Sequence, residues 1–316
     1  MTGELPASST NFGWAPPALR DRLRRDPLAV LKDRGIGLPA GLPPGVIEEV
    51  AKITFLLWQD GKLITRDQFA IDPSDEGLLF GKGIWESTKT VNGIPWLWPQ
   101  HLDRMLKTAQ LVGLNLTADR LPDTMQVSAF VRSLTNMEVV IRLNATAGFG
   151  GKPGTVWMTA QLPPQPYPSM KLQTVTLPVP KGQPYLVWKT FQYATRLHLG
   201  SHNLKPGMQS TLVIDEAGHI LEAAHANIFL KFPEGWLTPA VDGGFLPGTV
   251  RQHLLSNAPL PIREAVIPVS RLAEATEIFL TNSNIGIVPV IQIDEREWAV
   301  GPDTTNLMKW LSPGGK

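Results

Sequence analysis

The chain has 316 residues, 43% of them hydrophobic and 18% charged, with 29 Lys plus Arg against 28 Asp plus Glu. That much apolar material builds one large domain or two packed ones and excludes a disordered chain, while a net charge of +1 gives no broad field for nucleic acid or an anionic membrane. The absence of cysteine excludes disulfides, thiolate metal sites and cysteine nucleophiles. No stretch approaches the ~18 apolar residues of a membrane helix, and the N-terminus shows no secretory signal. The expectation is a cytoplasmic protein with no metal, nucleic-acid or membrane partner.

Residues 1–14 read as a loose polar tail. PALRDRLRRDPLAVLKDR (17–34) spaces Leu19, Leu23, Leu28 and Leu31 by one or two helical turns, and Pro27 suits the first position of a second helix. GIGLPAGLPPG (35–45) is a Gly/Pro linker, so residues 1–50 form a helical appendage. ITFLLW (53–58) and LITRDQFAI flank the turn QDGK (59–62). IWESTKTV (84–91) and PWLWP (95–99) flank Asn92-Gly93, a strong hairpin signal. HLDRMLKTAQLVGL (101–114) is an amphipathic helix ending at Gly113. A helix over 122–136 and strands at 138–146 and 155–162 complete a small α/β domain, 51–162. PPQPYPSM (163–170) is a semi-rigid interdomain loop. Strands follow at 171–178, 210–215, 219–222, 226–231, 235–238, 262–268, 277–281 and 287–293, with helices near 190–202, 248–257 and 270–275. These make a larger, β-rich domain, 171–316, and the fold class is α+β. GFGGKPG (148–154) lacks the spacing of a dinucleotide or P-loop motif.

Five features could carry chemistry, and each has a plain structural reading beside it. Lys189, in VWKTFQYATR (187–196), sits among Trp188, Phe191 and Tyr193. Buried there, its amine would be less basic and able to form a Schiff base; exposed, it is a surface charge. Glu222, in GHILEAAHANIFL, ends a strand and could pair with a protonated ring nitrogen, or face water. In FLPGTVRQHLL, the N–H groups of Thr249 and Val250 could bind phosphate, or simply start a helix. Arg104, in HLDRML, could clamp a phosphate bidentately, or solvate its helix. The turn in TNSNIGIVPV (281–290) could hold a carboxylate on its amides, or only reverse the chain.

In this order, WQDGKLI, EGLLFGKGIWESTKTVNG, HLDRMLKTAQLVGL, KTFQYA, LVIDEAGHILEAAHANIFL, WLTPAVDGGFLPGTVR and FLTNSNIGIVPV resemble the fold-type IV pyridoxal-phosphate enzymes. These are the class IV aminotransferases, which include branched-chain aminotransferases, D-amino-acid aminotransferases and aminodeoxychorismate lyases. The resemblance spans residues 53–301. It implies pyridoxal 5'-phosphate as cofactor, an amino acid and a 2-oxo acid as substrates, and a homodimer with the active site near its interface. By the same resemblance, Lys189 is the Schiff-base lysine and proton shuttle, Glu222 binds the ring nitrogen and Tyr193 bonds the phenolic oxygen. Arg104 and the N–H groups of Thr249 and Val250 hold the phosphate, and Ser283, Asn284 and Arg142 meet substrate carboxylates.

The chain departs from the family pattern in several places. Gln192 replaces the usual Asn before the tyrosine, and Thr249-Val250 exchanges the types of the usual Ile-Thr. Gly81-Lys82-Gly83 replaces Gly-Asp-Gly and adds a cation near the presumed active-site entrance, and Ala223-Ala224-His225 replaces a Gly-rich turn. The activity implied is amino transfer, with the branched-chain type among the expectations. A lyase of aminodeoxychorismate type and a non-catalytic family member are the alternatives. Residues 26–50 share Asp-Pro, Gly-Ile and Leu-Pro landmarks with the nitrile-hydratase-like leader segments of some ribosomal peptide precursors, too few to outweigh a dimer-stabilising extension.

Overall fold

The computed structural model describes residues 12–39, 41–177, 187–201, 203–241 and 244–312. Helices α1 (Pro17–Arg25) and α2 (Pro27–Lys32) meet at Asp26, whose carboxylate accepts the Ala29 N–H and caps α2 while Pro27 opens its first turn. Residues 1–11 of the expected tail lie outside the described residues, but Phe12 is not loose. It is fully buried with Leu23, Leu31, Val50 and Phe55. Helix α3 (Pro44–Phe55) runs across the expected boundary at residue 50 and takes up Ile53–Phe55, which the sequence suggested as strand. Val50, Ala51, Ile53 and Thr54 fall on one helical face and are buried together, so packing outweighs the strand preference of the β-branched residues.

The first sheet is antiparallel throughout. Its strands are β1 (Leu56–Gln59), β2 (Lys62–Thr65), β3 (Gly83–Val91), β4 (Ile94–Pro95), β5 (Val140–Thr146) and β6 (Val156–Gln161), in the order β2-β1-β6-β5-β3-β4. Both expected hairpins form. Asp60-Gly61 and Asn92-Gly93 adopt positive φ at both central positions (42° and 88°, 54° and 72°), as tight two-residue hairpin turns require. The short helix α4 (Glu76–Phe80) precedes β3. Of PWLWP only Pro95 joins a strand, because Trp98 already begins α5 (Trp98–Val112), with Pro99 in its first turn. Gly113 ends α5 in the left-handed conformation (φ 67°). An Asp123–Gln126 capping box starts α6 (Thr124–Leu134). Trp98, Met105, Val127, Phe130, Ile141 and Met158 form the core between helices and sheet.

The second sheet comprises, among the described residues, β7 (Met170–Thr176), β8 (Ser210–Ile214), β9 (Ile220–Ala223), β10 (Asn227–Phe232), β11 (Gly235–Pro239), β12 (Ile262–Ala265), β13 (Glu277–Asn282), β14 (Gly286–Ile293) and β15 (Arg296–Glu297). Its order is β12-β11-β10-β13-β14-β7-β8-β9, with β15 beside β14. The last residue of the expected strand 171–178 lies outside the described residues. Because β7 and β8 are parallel neighbours, the chain must cross over between them. That crossover carries Lys189 and α7 (Ala194–Ser201). Helices α8 (Thr249–Asn257) and α9 (Pro302–Leu311) pack with Phe229, Trp236 and Phe279 on the sheet. The helix expected at 270–275 is a 3-10 turn, Val269–Ala273. Among the described residues, no helix is long and apolar enough to cross a membrane.

Candidate active site

Strand β3 joins the two sheets. It pairs with β5 along one side, while β4 covers only Thr90 and Val91 on the other. Two loops of the second sheet complete the rest of that edge. Trp85 N–H donates to Lys189 O (3.0 Å) and Phe191 N–H to Gly83 O (2.8 Å). Farther along, the Ser283 hydroxyl donates to Ser87 O (2.6 Å) and Lys89 N–H to Ser283 O (3.3 Å). Gly83 is needed for this approach, since a Cβ there would run into the Phe191 ring. The edge groups are satisfied, and Lys189 is held through its own backbone.

Beside this seam lies a pocket lined by Lys189, Tyr193, Arg196, Glu222, Arg104 and Thr281 together with the first turn of α8. Gly248, at the N-cap of α8, provides no side-chain cap. The N–H groups of Thr249 and Val250 in the first turn therefore have no intrahelical acceptor, an arrangement that receives anions. Thr281 Oγ1 is buried and has no hydrogen-bond partner among the described residues.

Lys189 Nζ stands 3.8 Å from the centre of the Trp85 ring, and the Arg142 guanidinium approaches the same ring at 3.8 Å. Trp85 is fixed by its Nε1–H bond to Thr190 O (3.0 Å) and by an edge contact with Tyr193 (5.1 Å). Burial, with the neighbouring Arg104 and against the attraction of Glu86, brings the Lys189 amine down from 10.5 to about 7. Arg196 and Arg142 push in the same downward direction.

Glu86 points to the opposite face of β3 from Trp85 and is gripped from α5. Arg104 Nε and Nη2 donate to its two oxygens at 2.7 and 2.6 Å, and His101 Nδ1 lies 2.7 Å from Oε2. Burial pushes this carboxyl up, but Arg104 and His101 together bring it down to about 2. His101 is itself buried, which lowers its pKa against the opposing pull of Glu86. As a neutral ring it donates from Nδ1 to Glu86 and accepts at Nε2 from the Thr249 hydroxyl (3.1 Å). Glu222, 5% exposed, lies 2.5 Å through Oε1 from Arg196 Nη1, and Arg196 is buried beside it. Burial pushes Glu222 up while Arg196 and the Leu246 N–H oppose the rise.

Six sequence-predicted residues, Lys189, Tyr193, Glu222, Arg104, Thr249 and Val250, thus line one pocket, and Ser283 joins them. Arg142 approaches only through Trp85. Two expectations change in detail. Arg104 directs its bidentate fork at Glu86, and its Nη1 also donates to Pro247 O (2.9 Å), which leaves one N–H on each terminal nitrogen. In the 281–285 turn, the N–H groups of Asn284 and Ile285 donate to Asn282 Oδ1 (2.9 and 3.0 Å). The side chain of Asn282 therefore takes the Asn284 amide, one of the two expected to meet a substrate carboxylate, together with that of Ile285. Lys82, the added cation, pairs with Glu76 (2.9 Å).

The sequence reading missed Arg196, His101 and His225. His225 stacks on Tyr193 (5.9 Å between ring centres), with Nδ1 3.3 Å from its hydroxyl. Gly200 leaves room for that imidazole, because a Cβ would collide with it. A signal existed for Arg196 and Gly200: with Tyr193 they are spaced by three and four residues, one face of a helix. Nothing local marked Glu222 as their counterpart.

The chain matches the family model for amino-transferase class IV over residues 83–293, more than half of its length, and it belongs to that family. The family is one of pyridoxal-phosphate-dependent enzymes. A protein described as a branched-chain-amino-acid aminotransferase from Methanocaldococcus jannaschii is 24% identical over 76% of this chain and 88% of its own length. An aminodeoxychorismate lyase from Bacillus subtilis is 22% identical over 76% of this chain and 87% of its own. Among solved structures, the pyridoxal-phosphate-bound form of a hypothetical aminotransferase from Mycobacterium tuberculosis superposes with a TM-score of 0.74. The two share 20% identity, and the match covers 81% of this chain and 97% of that one. The fold is the two-sheet α+β fold of the fold-type IV enzymes.

Proposed function

We propose that this protein binds pyridoxal 5'-phosphate and moves an amino group from an amino acid to a 2-oxo acid. The observation that carries the reading is Lys189, an amine lowered to about 7 in one pocket with Glu222 and the open N-terminus of α8. The donor set suits the group. The N–H groups of Thr249 and Val250, the remaining N–H groups of Arg104 and the orphaned Thr281 hydroxyl would hold its phosphate. Glu222 would face its ring nitrogen and Tyr193 its phenolic oxygen. When bound, the group supplies an electron sink for the pair left at Cα of the amino acid.

The chain's own part is proton transfer and orientation. Lys189 Nζ, neutral above about pH 7, accepts the Cα proton and later returns it. An ordinary lysine would be protonated in neutral water and could not accept it. Trp85 covers one side of that amine and keeps water from it. Arg142, whose Nε donates to Asn144 Oδ1 (3.0 Å), stands over Trp85, and its positive charge beside the pocket supports a dicarboxylic 2-oxo acid as acceptor. Leu78, Leu79 and Phe80 on α4 are 63%, 56% and 69% exposed, an apolar run that supports assembly as a homodimer.

The test is the visible spectrum of the purified protein with added pyridoxal phosphate, followed by a screen of amino donors beginning with branched-chain amino acids. A Schiff-base absorption band that Lys189→Ala removes, together with donor-dependent amination of a 2-oxo dicarboxylate, is the expected result. Pyruvate released from an amino-chorismate-type substrate without any acceptor would replace amino transfer by elimination. A colourless protein that takes up none of the cofactor would sink both.

A further inference from the structure

Another cavity, of about 340 Å³, shares no lining residue with the Lys189 pocket. The turn after α2, one side of α3, the residue after β2 and the end of β6 enclose it. Val50, Ile53 and Ala160, all buried, make its floor with half-buried Ile36, while the exposed Arg34 and Arg66 stand at its mouth. The size suits a small molecule. Local structure explains both arginines. Gly35, at φ 76°, turns the chain after α2, and the Ile36 N–H returns to Leu31 O (3.0 Å). That turn stands the Arg34 guanidinium 5.4 Å from the centre of the Phe55 ring. Arg66 is tied to the end of α3, where its backbone N–H donates to Phe55 O (2.9 Å) and its Nε to Thr54 O. Among the described residues, the two terminal nitrogens of Arg66 and the whole fork of Arg34 have no hydrogen-bond partner. Neither guanidinium is within ion-pair reach of a carboxylate there, and the acids Asp33 and Glu48 are engaged with Arg22 and Lys52.

We propose that this cavity binds a small amphipathic carboxylate, an aliphatic or aromatic acid whose anionic head lies between Arg34 and Arg66 and whose apolar body covers Val50, Ile53 and Ala160. Burial and the charge of Arg34 both push the Arg66 guanidinium down from its ordinary value. A guanidinium does not give up its proton at any working pH, so the repulsion between the two persists in the free protein. A carboxylate set between them removes that repulsion and takes the unused N–H donors in pairs. The floor then selects among anions. Inorganic phosphate leaves that apolar surface wet, whereas an acyl chain or a ring covers it. A zwitterionic amino acid sets its ammonium against two cations, so the site separates plain carboxylates from amino acids. The ligand joins the turn after α2 to the first sheet and thereby stabilises the folded appendage. None of this depends on the pyridoxal-phosphate reading, because Arg34 and Arg66 both precede the 83–293 family match and lie outside the Lys189 pocket.

Equilibrium dialysis of the full-length protein against radiolabelled octanoate tests the site. Octanoate binds and raises the thermal unfolding midpoint in proportion to its occupancy. Octanol has the tail without the charge and inorganic phosphate the charge without the tail, and each competes at least ~10-fold more weakly. Arg34→Gln and Arg66→Gln each weaken octanoate by ~10–100-fold. Arg34 is exposed and its side chain bonds nothing among the described residues, so its variant keeps the fold and decides the matter alone should Arg66→Gln not fold. Failure of octanoate to bind, octanol or phosphate competing as well as octanoate, or an affinity unchanged in Arg34→Gln would each overturn the proposal. A wild-type protein that takes up no pyridoxal phosphate yet binds octanoate in this way would remove the reading of the Lys189 pocket and leave this one standing.

Discussion

Glu86 and Glu222 are two buried glutamates, one from each sheet, each bonded to an arginine beside the same pocket, and they end with opposite acidities. Glu86 receives Arg104 through two nitrogens, one on each oxygen, and His101 as well. Its carboxyl falls to about 2. Glu222 has Arg196 Nη1 2.5 Å from one oxygen, and its burial still raises it. The difference teaches that a neighbouring arginine does not by itself decide how a buried carboxylate titrates. What decides is how many charge-assisted donors cover its two oxygens against the cost of desolvation. One corner is built as a fixed ionic joint, the other as a site whose proton can move.

The largest test of that contrast is stability. Glu86→Gln breaks the joint and strands Arg104, and is expected to cost ~3–5 kcal/mol in urea denaturation. Glu222→Gln leaves Arg196 its bond to Ala224 O and should cost less, ~1–3 kcal/mol. Equal losses would erase the distinction. Acid titration sharpens it. Because the folded Glu86 value of about 2 lies below its ordinary 4.5, its stabilisation is complete above 4.5 and is lost as pH falls toward 2. The raised Glu222 works with the reverse sign and loses stability as pH rises through its folded value. Chemical denaturation between pH 2 and 5 should therefore show a flatter acid limb in Glu86→Gln and an unflattened one in Glu222→Gln.

A smaller effect probes the connection between the ionic joint and α8. His101→Leu removes the link from Glu86 to the Thr249 hydroxyl and is expected to weaken pyridoxal-phosphate binding by about tenfold, ~1.4 kcal/mol, in equilibrium dialysis. The smallest is at the other corner. Tyr193→Phe deletes only the 3.3 Å bond to His225 from the free protein, so its unfolding free energy should change by ~1 kcal/mol or less. A larger loss would mean that this corner is also a rigid joint.

Local chemistry was the part of the fold that could be read in the sequence. Asn92-Gly93 and Asp60-Gly61 announce their turns because positive φ is a property of those residues themselves. The end of α3 could not be read in this way. Ile53 and Phe55 suit a strand equally well, and only the burial of their helical face settles them. The site divides likewise. Lys189, Glu222 and the start of α8 were found through the order of their motifs, while the pairing of Arg196 with Glu222 joins residues far apart in sequence and leaves no periodic trace. The 281–285 turn shows a third limit. Its amides looked open until the side chain of Asn282 folded back over them.

The edge of β3 has one further consequence. Its residues 85, 87 and 89 meet the carbonyl of Lys189, the hydroxyl of Ser283 and the carbonyl of Ser283 in turn. A strand advances about 6.7 Å for every two residues, so β3 works as a ruler laid between the lysine loop and the 281–285 turn. The span across which a ligand must fit is then graduated by strand geometry, and neither loop is free to choose it. Lengthening β3 by one residue between Trp85 and Ser87 would reset that gauge and turn Ser87 and Lys89 to the opposite face of the sheet.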